Sequence, residues 1–233
     1  MPSLRNIPGL NLNMFDVFIF DLDGTLYDQR IVRRKIMISL VSQMIRLRIS
    51  PRILSIIRTF RHIREEKKAF SSPDLEELQY EWCAKKQKIA PQTVREVIRV
   101  WMLQFPLKIL PTAIYPGVSD FFLTLGKRYK KIVVYSDYPV EEKLKALGLI
   151  SDRNYYSLST RIGQLKPGRK ALDLIGSDFG CPAERIIYIG DREDTDGASA
   201  HMAGITFLKV DRKEARSGRF YGKLNEQLKA LNE

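Results

Sequence analysis

Residues 16–25 have the sequence Asp-Val-Phe-Ile-Phe-Asp-Leu-Asp-Gly-Thr. The run of β-branched and aromatic residues at its start is typical of a strand that is buried on both faces of a parallel sheet. Similar apolar runs follow along the chain, and segments with helical periodicity separate them. The runs lie at residues 131–135, 185–189 and 205–210, and the helical segments at residues 118–127, 140–147, 169–177 and 196–203. This alternation predicts an α/β fold with a doubly wound, Rossmann-like parallel sheet.

The stretch after the first strand departs from this alternation over roughly 80 residues, which is within the usual size range of a domain. It contains no convincing strand, and Pro51, Pro73 and Pro91 stand near the points where new helices are expected to begin. We therefore predict an inserted subdomain built of helices alone. The predicted organisation is an α/β core of residues 15–28 and 112–233, a helical insert of residues 29–111 and a short N-terminal extension of residues 1–14.

Positive charge is concentrated in the helical insert. The chain has 39 lysines and arginines against 27 acidic residues, a net charge of +12, and residues 30–70 alone contain 12 basic and 2 acidic residues. Arg58, Arg61 and Arg64 are spaced to lie on one side of a helix, opposite a row of apolar residues. Three interpretations of this basic side stay open. They are a solvated helix face, a surface that attracts a multiply anionic substrate, and a surface for an acidic partner or an anionic membrane.

The sequence disfavours several classes of protein. Because the charge is so uneven and no nucleic-acid-binding motif is present, we expect no nucleic-acid partner. The uncharged apolar run at residues 36–45 is about half as long as a membrane span, and Asp16 interrupts the hydrophobic stretch near the N-terminus. Cys83 and Cys181 match no metal or redox spacing. We therefore expect a cytoplasmic protein without a transmembrane segment, and the sequence fixes no oligomeric state.

Polar residues stand at the ends of the predicted strands, where a ligand would bind. Ligands of open α/β sheets bind beyond the carboxyl ends of the strands. The residues at these positions include five acids, a serine and a lysine. They are Asp21, Asp23, Gly24 and Thr25 after the first strand, Ser136 and Asp137 after the second, Lys166 before the third, and Asp191 and Asp196 after the third. We predict that these groups converge at one edge of the sheet.

The residue types in this group suit phosphoryl transfer. Carboxylates packed together repel one another unless a cation lies among them, and oxygen ligands without His or Cys favour Mg²⁺. A lysine, a serine hydroxyl and the backbone N–H groups around Gly24 are suited to hold a phosphate. An ionised aspartate can attack phosphorus and form an aspartyl phosphate, while a second aspartate protonates the leaving oxygen and then activates water.

These motifs, in this order, resemble the four motifs of the haloacid dehalogenase (HAD) superfamily. The similarity covers about residues 15–28 and 112–210, and Asp21-Leu-Asp-Gly-Thr25 is its most specific part. The overall plan is most similar to that of phosphoglycolate-phosphatase-like members, which carry a helical cap directly after the first motif. Members that resemble true dehalogenases lack the acid found here at Asp23. The resemblance therefore implies phosphoryl transfer.

The resemblance also implies catalytic roles for four residues. Asp21 would be the nucleophile and a metal ligand. Asp23 would be the general acid and base, and its carbonyl oxygen would also bind the metal. Ser136 and Lys166 would hold the phosphoryl group.

The remaining matched residues would complete the metal and substrate sites. Asp191 would bind Mg²⁺, with Asp196 alongside it, either directly or through water. Gly24, Thr25 and Asp137 are the candidates for substrate contact, with Thr25 supporting the loop of the first motif. For Asp137, a role as a turn residue is an equal alternative.

We predict a Mg²⁺-dependent phosphatase that hydrolyses a small phosphorylated metabolite through a phospho-Asp21 intermediate. One alternative is a phosphotransferase or phosphomutase of the same superfamily, which would pass the phosphoryl group to a second substrate. Another is a non-catalytic protein that binds a partner through the basic insert. The complete acidic set argues against the last alternative, because a non-catalytic descendant could lose Asp21 or Asp23 at little cost.

Overall fold

A sheet of five parallel strands forms the centre of the computed structural model, which describes residues 10–47 and 50–229. The spatial order is β3-β2-β1-β4-β5, so the strand order reverses on either side of the central strand. This arrangement confirms the predicted doubly wound α/β fold. The strands are β1 (Val17–Phe20), β2 (Lys131–Ser136), β3 (Arg153–Tyr156), β4 (Ile186–Gly190) and β5 (Thr206–Lys209). Residues 1–9 of the predicted N-terminal extension, 48–49 of the predicted insert and 230–233 of the predicted core lie outside the described residues.

Four of the five strands coincide with the apolar runs of the sequence, and β3 does not. This strand has the sequence Arg-Asn-Tyr-Tyr, and Arg153 at its start is exposed. It lies at the edge of the sheet, where it pairs with β2 on one side only. An edge strand needs no continuous apolar run, and that is why the hydrophobic pattern of the sequence gives no signal for it.

Helices cover both faces of the sheet and make up the segment between β1 and β2. In residues 29–47 and 50–111 the structure contains helical segments and no strand, as predicted. The last helix of this segment continues directly into a π-helical stretch, Arg99–Gln104. The α-helices are α1 (Gln29–Leu47), α2 (Arg52–Glu66), α3 (Leu75–Gln87), α4 (Pro91–Ile98), α5 (Val118–Lys127), α6 (Glu141–Leu147), α7 (Lys170–Phe179), α8 (Ala198–Ala203), α9 (Arg212–Arg216) and α10 (Arg219–Lys229).

The alternation of side chains along the central strand divides the core into two layers. Phe18 and Phe20 point to one face, where they pack edge-to-face on Phe121 of α5 with ring centroids 6.3 and 6.1 Å apart. Val17 and Ile19 point to the other face and belong to a second cluster with residues of α7 and α8. Because β1 is buried on both faces, the acidic loop that follows it has a fixed position.

The helical segment has its own apolar contacts. Phe60 of α2 stacks on Tyr80 of α3 with 5.7 Å between ring centroids, and Cys83 is buried beside them. Both cysteines are free thiols. None of the described helices combines the length and the apolar character that crossing a membrane requires.

Candidate active site

Three buried aspartates meet at the carboxyl ends of β1 and β4. Asp21 directly follows β1 and donates its backbone N–H to the carbonyl oxygen of Ile189 on β4, at 2.9 Å. Asp191 directly follows β4, and Asp196 lies in the π-helical turn Glu193–Gly197 beyond it. Each of the three offers a carboxylate oxygen, and these oxygens all lie within 4.8 Å of one another. The structure thus brings together three of the five acids that the sequence singled out.

Lys166 is the cation at the centre of this cluster. Its buried Nζ donates to Oδ1 of Asp21 at 2.8 Å, to Oδ1 of Asp196 at 2.9 Å and to the carbonyl oxygen of Tyr135 at 3.2 Å. Burial on its own lowers the pKa of Lys166, but the carboxylates of Asp196 and Asp21 outweigh it and hold the pKa well above the usual value. The ammonium group therefore keeps its charge.

One lysine does not balance three carboxylates. Burial raises the pKa of Asp21, and although Lys166 opposes this, repulsion from Asp196 and Asp191 keeps the pKa well above its ordinary value. The second oxygen of Asp21, Oδ2, accepts a hydrogen bond from Oγ1 of Thr25 at 3.0 Å. Because the three acids carry more negative charge than Lys166 and Arg212 together offset, a further cation would stabilise the site.

One carboxylate oxygen of Asp191 is available as a ligand for such a cation. Its Oδ2 accepts hydrogen bonds from Arg212, with 2.9 Å to Nε. Its Oδ1 is buried and has no hydrogen-bond partner among the described residues. A buried carboxylate oxygen without a partner is costly unless a cation or water completes it. With oxygen donors only, the cluster of Asp21, Asp191 and Asp196 fits a hard divalent cation.

Gly24 is the point where the loop after β1 passes close to Asp191. Its φ of +99° lies in a region that residues with a Cβ rarely adopt. A Cβ built at this position would come within 2.2 Å of Oδ2 of Asp191. Glycine therefore allows Asp21 and Asp191, from two different strands, to lie side by side.

Replacing Gly24 by Ala should impair the protein in two ways. The backbone conformation alone costs about 1 kcal/mol of the free energy of unfolding, and the added methyl must push Asp191 away from Arg212. We expect a lower Tm and a marked loss of turnover. Gly148→Ala is the matched control, because Gly148 also has a positive φ, +67°, but a Cβ there meets nothing within 4 Å. If the two variants were equally stable and equally active, the close approach at Gly24 would be unimportant.

Asp23 stands apart from the other three carboxylates. Nζ of Lys143 on α6 donates to both of its oxygens, at 2.7 and 2.9 Å, and the hydroxyl of Tyr27 donates to one of them. Burial favours the neutral acid, but Lys143 and Tyr27 outweigh it and lower the pKa of Asp23. Without a ligand nearby, Asp23 is an ionised carboxylate with its orientation fixed from two sides.

Sequence reasoning did not identify Lys143, Tyr27 or Arg212 as parts of the site. Lys143 is buried, although it belongs to a helix whose other charged residues are exposed. Its partner Asp23 lies 120 residues earlier in the chain. Arg212 follows β5, the fifth strand-end position at this edge of the sheet, and the rule used for the other strands would have found it.

Ser136 and Asp137 lie at the end of β2, at the same edge of the sheet. Ser136 is buried, and its Oγ accepts from the backbone N–H of Tyr138 at 3.4 Å. Asp137 accepts from the hydroxyl of Ser157 at 2.7 Å, and Arg64 of the insert lies 3.6 Å from it. Both residues line the cavity described next, while the contacts of Asp137 are to protein groups.

A cavity of about 520 Å³ lies between the strand ends and the first two helices of the insert. This volume is in the range of sites that take small molecules. The residues described above line it, together with Arg33 of α1 and Arg61 of α2. One cavity is thus lined both by the acids with their lysines and by basic residues of the insert.

The basic side of α2 is not a single solvated face. Arg58 is exposed and lies outside the cavity lining, Arg61 is half-buried and lines the cavity, and Arg64 is buried. Arg64 donates to Gln79 and stacks over the ring of Tyr138, with 4.3 Å from the guanidinium carbon to the ring centroid. The three arginines therefore share a side of α2 but have different surroundings, because α2 packs one edge of its polar side against the core.

Ion pairs also join α2 to the loop between Asp191 and Asp196. Both guanidinium nitrogens Nη1 and Nη2 of Arg192 bind Glu65, at 2.7 and 3.0 Å. Lys68 binds Asp194 at 2.6 Å. These contacts hold the insert over the acidic cluster.

Comparison with known proteins supports a specific family. A family model described as haloacid dehalogenase-like hydrolase matches residues 15–204. No curated protein sequence matches the chain. Among solved structures, the chain is similar to a predicted phosphoglycolate phosphatase from Haemophilus somnus 129Pt, with a TM-score of 0.55 and 18% sequence identity, over 86% of each chain.

Two further solved structures illustrate the range of similar proteins. A β-phosphoglucomutase from Clostridium difficile has a TM-score of 0.57 and 15% identity, over 93% of this chain and 98% of that chain. A putative HAD-hydrolase from Bacillus subtilis bound to magnesium has a TM-score of 0.60 and 13% identity, over 84% of this chain and 88% of that chain. At these identities the likeness shows the fold.

Proposed function

Because the chain belongs to the haloacid dehalogenase-like hydrolases, we propose that it is a Mg²⁺-dependent phosphatase that hydrolyses a small phosphorylated metabolite. The observation that carries this proposal is the convergence of Asp21, Asp191 and Asp196 around Lys166, with Asp23 at the edge of the same cavity. This set supplies a nucleophile, a proton carrier, a fixed cation and ligands for a metal. We further propose that residues 29–111 act as the cap of this site.

Asp21, Asp191 and Asp196 would hold the metal, together with the backbone carbonyl oxygen of Asp23. The oxygen-only donor set and the unpartnered Oδ1 of Asp191 support this assignment. When bound, Mg²⁺ supplies positive charge that offsets the repulsion between the acids and a phosphate, and it polarises a phosphoryl oxygen. The similar Bacillus subtilis hydrolase bound to magnesium is consistent with this choice of metal.

The reaction would begin with an attack by Asp21. An oxygen of its carboxylate forms a bond to phosphorus while the bond from phosphorus to the alcohol oxygen breaks. Lys166 and Ser136 hold the phosphoryl group in place. As the dianionic phosphate approaches and opposes the field of Lys143, the carboxylate of Asp23 takes up a proton from solvent. It then gives this proton to the leaving alcohol.

The second step would return the protein to its first state. Asp23, now ionised, takes a proton from a water molecule, and the oxygen of that water attacks the phosphorus of phospho-Asp21. The acyl phosphate bond breaks, inorganic phosphate leaves, and Asp21 is again a carboxylate. The hydrogen bonds from Lys143 and Tyr27 keep Asp23 in one orientation through both steps. The cap would exclude bulk water from these steps.

Replacing Asp23 by Asn should separate the two steps. For an alkyl phosphate, whose alcohol needs a proton to leave, we expect kcat to fall about 10²–10⁴-fold. For p-nitrophenyl phosphate the leaving group needs no proton, so the first step should stay fast and the second should become slow. Stopped-flow absorbance should then show a burst of one nitrophenolate per protein molecule. Equal losses on both substrates without a burst would contradict the role of Asp23.

Transfer to a second substrate is the alternative within the family. It would appear as phosphoryl groups recovered on an added sugar phosphate in place of inorganic phosphate. Release of inorganic phosphate from a screen of sugar phosphates, nucleotides, phosphoglycolate and lipid phosphates therefore tests the proposed hydrolysis and ranks its substrates. Membership in a hydrolase family favours either enzyme over a non-catalytic binding protein.

A further inference from the structure

The cavity contains two arginines that the protein itself leaves without a partner. Nine lysines and arginines line it, and seven of them form an ion pair with a carboxylate of the described chain. Arg33 and Arg61 form neither an ion pair nor a hydrogen bond with any described residue. The nine are Arg30, Arg33, Arg61, Arg64, Lys68, Lys143, Lys166, Arg192 and Arg212.

These two arginines come from different helices and line the same cavity. Arg33 lies on α1, next to the buried Val32, and Arg61 lies on α2, next to the buried Phe60. Burial lowers the pKa of Arg33, and the nearby charge of Arg61 lowers it further. Like charges held near each other are unfavourable until an anion joins them.

The position of the pair relative to Asp23 indicates which part of a substrate it would meet. The carboxylate of Asp23 and the hydroxyl of Tyr27 both act on Arg33 electrostatically, in the direction that favours its charged form. Asp23 is the group that would protonate the leaving alcohol, whereas Lys166 and Asp21 mark the position of the phosphoryl group. Tyr27 and Lys143, which both bind Asp23, line the cavity together with the two arginines, so the alcohol portion of a substrate beside Asp23 would be within the same space as this pair.

We propose that Arg33 and Arg61 bind a second anionic group, a carboxylate or a phosphate, on the alcohol portion of the substrate. The substrate class is then a small phosphate ester with an anion at each end. This inference rests on the proposed phosphatase function and narrows its substrate. A guanidinium presents two parallel N–H donors that match a carboxylate or phosphate, so two of them can surround one such group.

Binding of non-hydrolysable phosphonates tests this proposal independently of turnover. Propylphosphonate has one anionic end, whereas 3-phosphonopropionate and propane-1,3-bisphosphonate have two. Isothermal titration of the full chain in Mg²⁺ should give a Kd for the two-ended compounds roughly 10- to 100-fold below that for propylphosphonate. In the double variant Arg33→Gln/Arg61→Gln this ratio should fall to near one.

Two further variants make the result specific. Arg58→Gln removes an exposed charge from the same helix outside the cavity lining, and it should keep the full ratio. Arg33→Lys/Arg61→Lys keeps the charge but loses the paired donors, so it should keep part of the ratio. Circular dichroism would show whether the glutamine variant folds. If it does not, the lysine variant still tests whether positions 33 and 61 bind the second anion, because it keeps the positive charge at both.

The outcomes separate this proposal from the proposed function. If the wild type binds all three compounds equally, or if the glutamine variant keeps the preference for two-ended compounds, the second anion site does not exist. Binding of propylphosphonate would still support the phosphoryl site in either case. If the wild type binds none of the three in Mg²⁺, both the phosphoryl site and the second anion site are wrong.

Discussion

Asp21→Asn should lower kcat at least about 10⁴-fold, the order of loss seen when a nucleophile is removed from an active site. The amide keeps the shape of the side chain but has no negative oxygen that can attack phosphorus. Acid quenching of the wild type during turnover of a ³²P-labelled substrate should trap label on the protein, and the variant should trap none. Ordinary activity in Asp21→Asn would remove the phospho-aspartate mechanism.

The same substitution should leave the fold intact and even make it more stable in metal-free buffer. Asp21 is buried, and repulsion from Asp196 and Asp191 already disfavours its charge. A neutral isostere ends that repulsion, while Lys166 keeps its bond to Asp196. We therefore expect an equal or higher Tm for the variant. Asp173→Asn is the matched control, since Asp173 is an exposed partner of Arg169 and should affect neither property.

The opposite signs expected for activity and stability follow from what the site is built to do. Three carboxylates held together by the sheet lower the stability of the metal-free protein, and they are useful only when a cation and a phosphate arrive. A residue whose removal lowers turnover but not stability takes part in the chemistry. Truncating Phe121 of α5, which packs on Phe18 of β1, would instead lower the stability first.

The parts of the fold that the sequence predicts are those whose signal is local. The run Val17–Phe20 is apolar at every position because the strand is buried on both faces, and Asp21 and Asp23 follow it directly in the sequence. Their convergence with Asp191 and Asp196 follows from a general property of parallel sheets, namely that carboxyl ends share an edge. Residues 153–156 were not predicted as a strand because an edge strand pairs on one side only and needs no continuous apolar run.

The contacts that the sequence does not predict are those between elements far apart in the chain. Lys143 reaches Asp23 across 120 residues, and no periodicity or motif indicates that it turns inward. The spacing of Arg61 and Arg64 does show that they share a side of α2. It does not show that this side packs on the core, because a solvated helix face and a helix face against a charged cavity have the same pattern of residues.

Removal of divalent metal should abolish turnover, and Mg²⁺ should restore it. With three carboxylates within 4.8 Å and one lysine among them, the site repels a phosphate dianion. A second readout does not depend on activity. A ligand that binds only the folded state stabilises it by about 2.7 kcal/mol at 100 times its Kd, so Mg²⁺ should raise the Tm of the wild type measurably.

Asp191→Asn is the variant that connects this rise in Tm to the site. Oδ1 of Asp191 is a buried oxygen of the site with no partner among the described residues, and an amide at this position is a weaker ligand for a hard cation. We expect the variant to need far more Mg²⁺ for both activity and stabilisation, while Asp173→Asn should respond as the wild type does. Full turnover in EDTA, or an equal rise in Tm for wild type and Asp191→Asn, would mean that these acids serve another purpose.

In that case, protonation would have to relieve the repulsion among the acids. Burial and Asp196 already raise the pKa of Asp191. The activity should then increase as the pH falls.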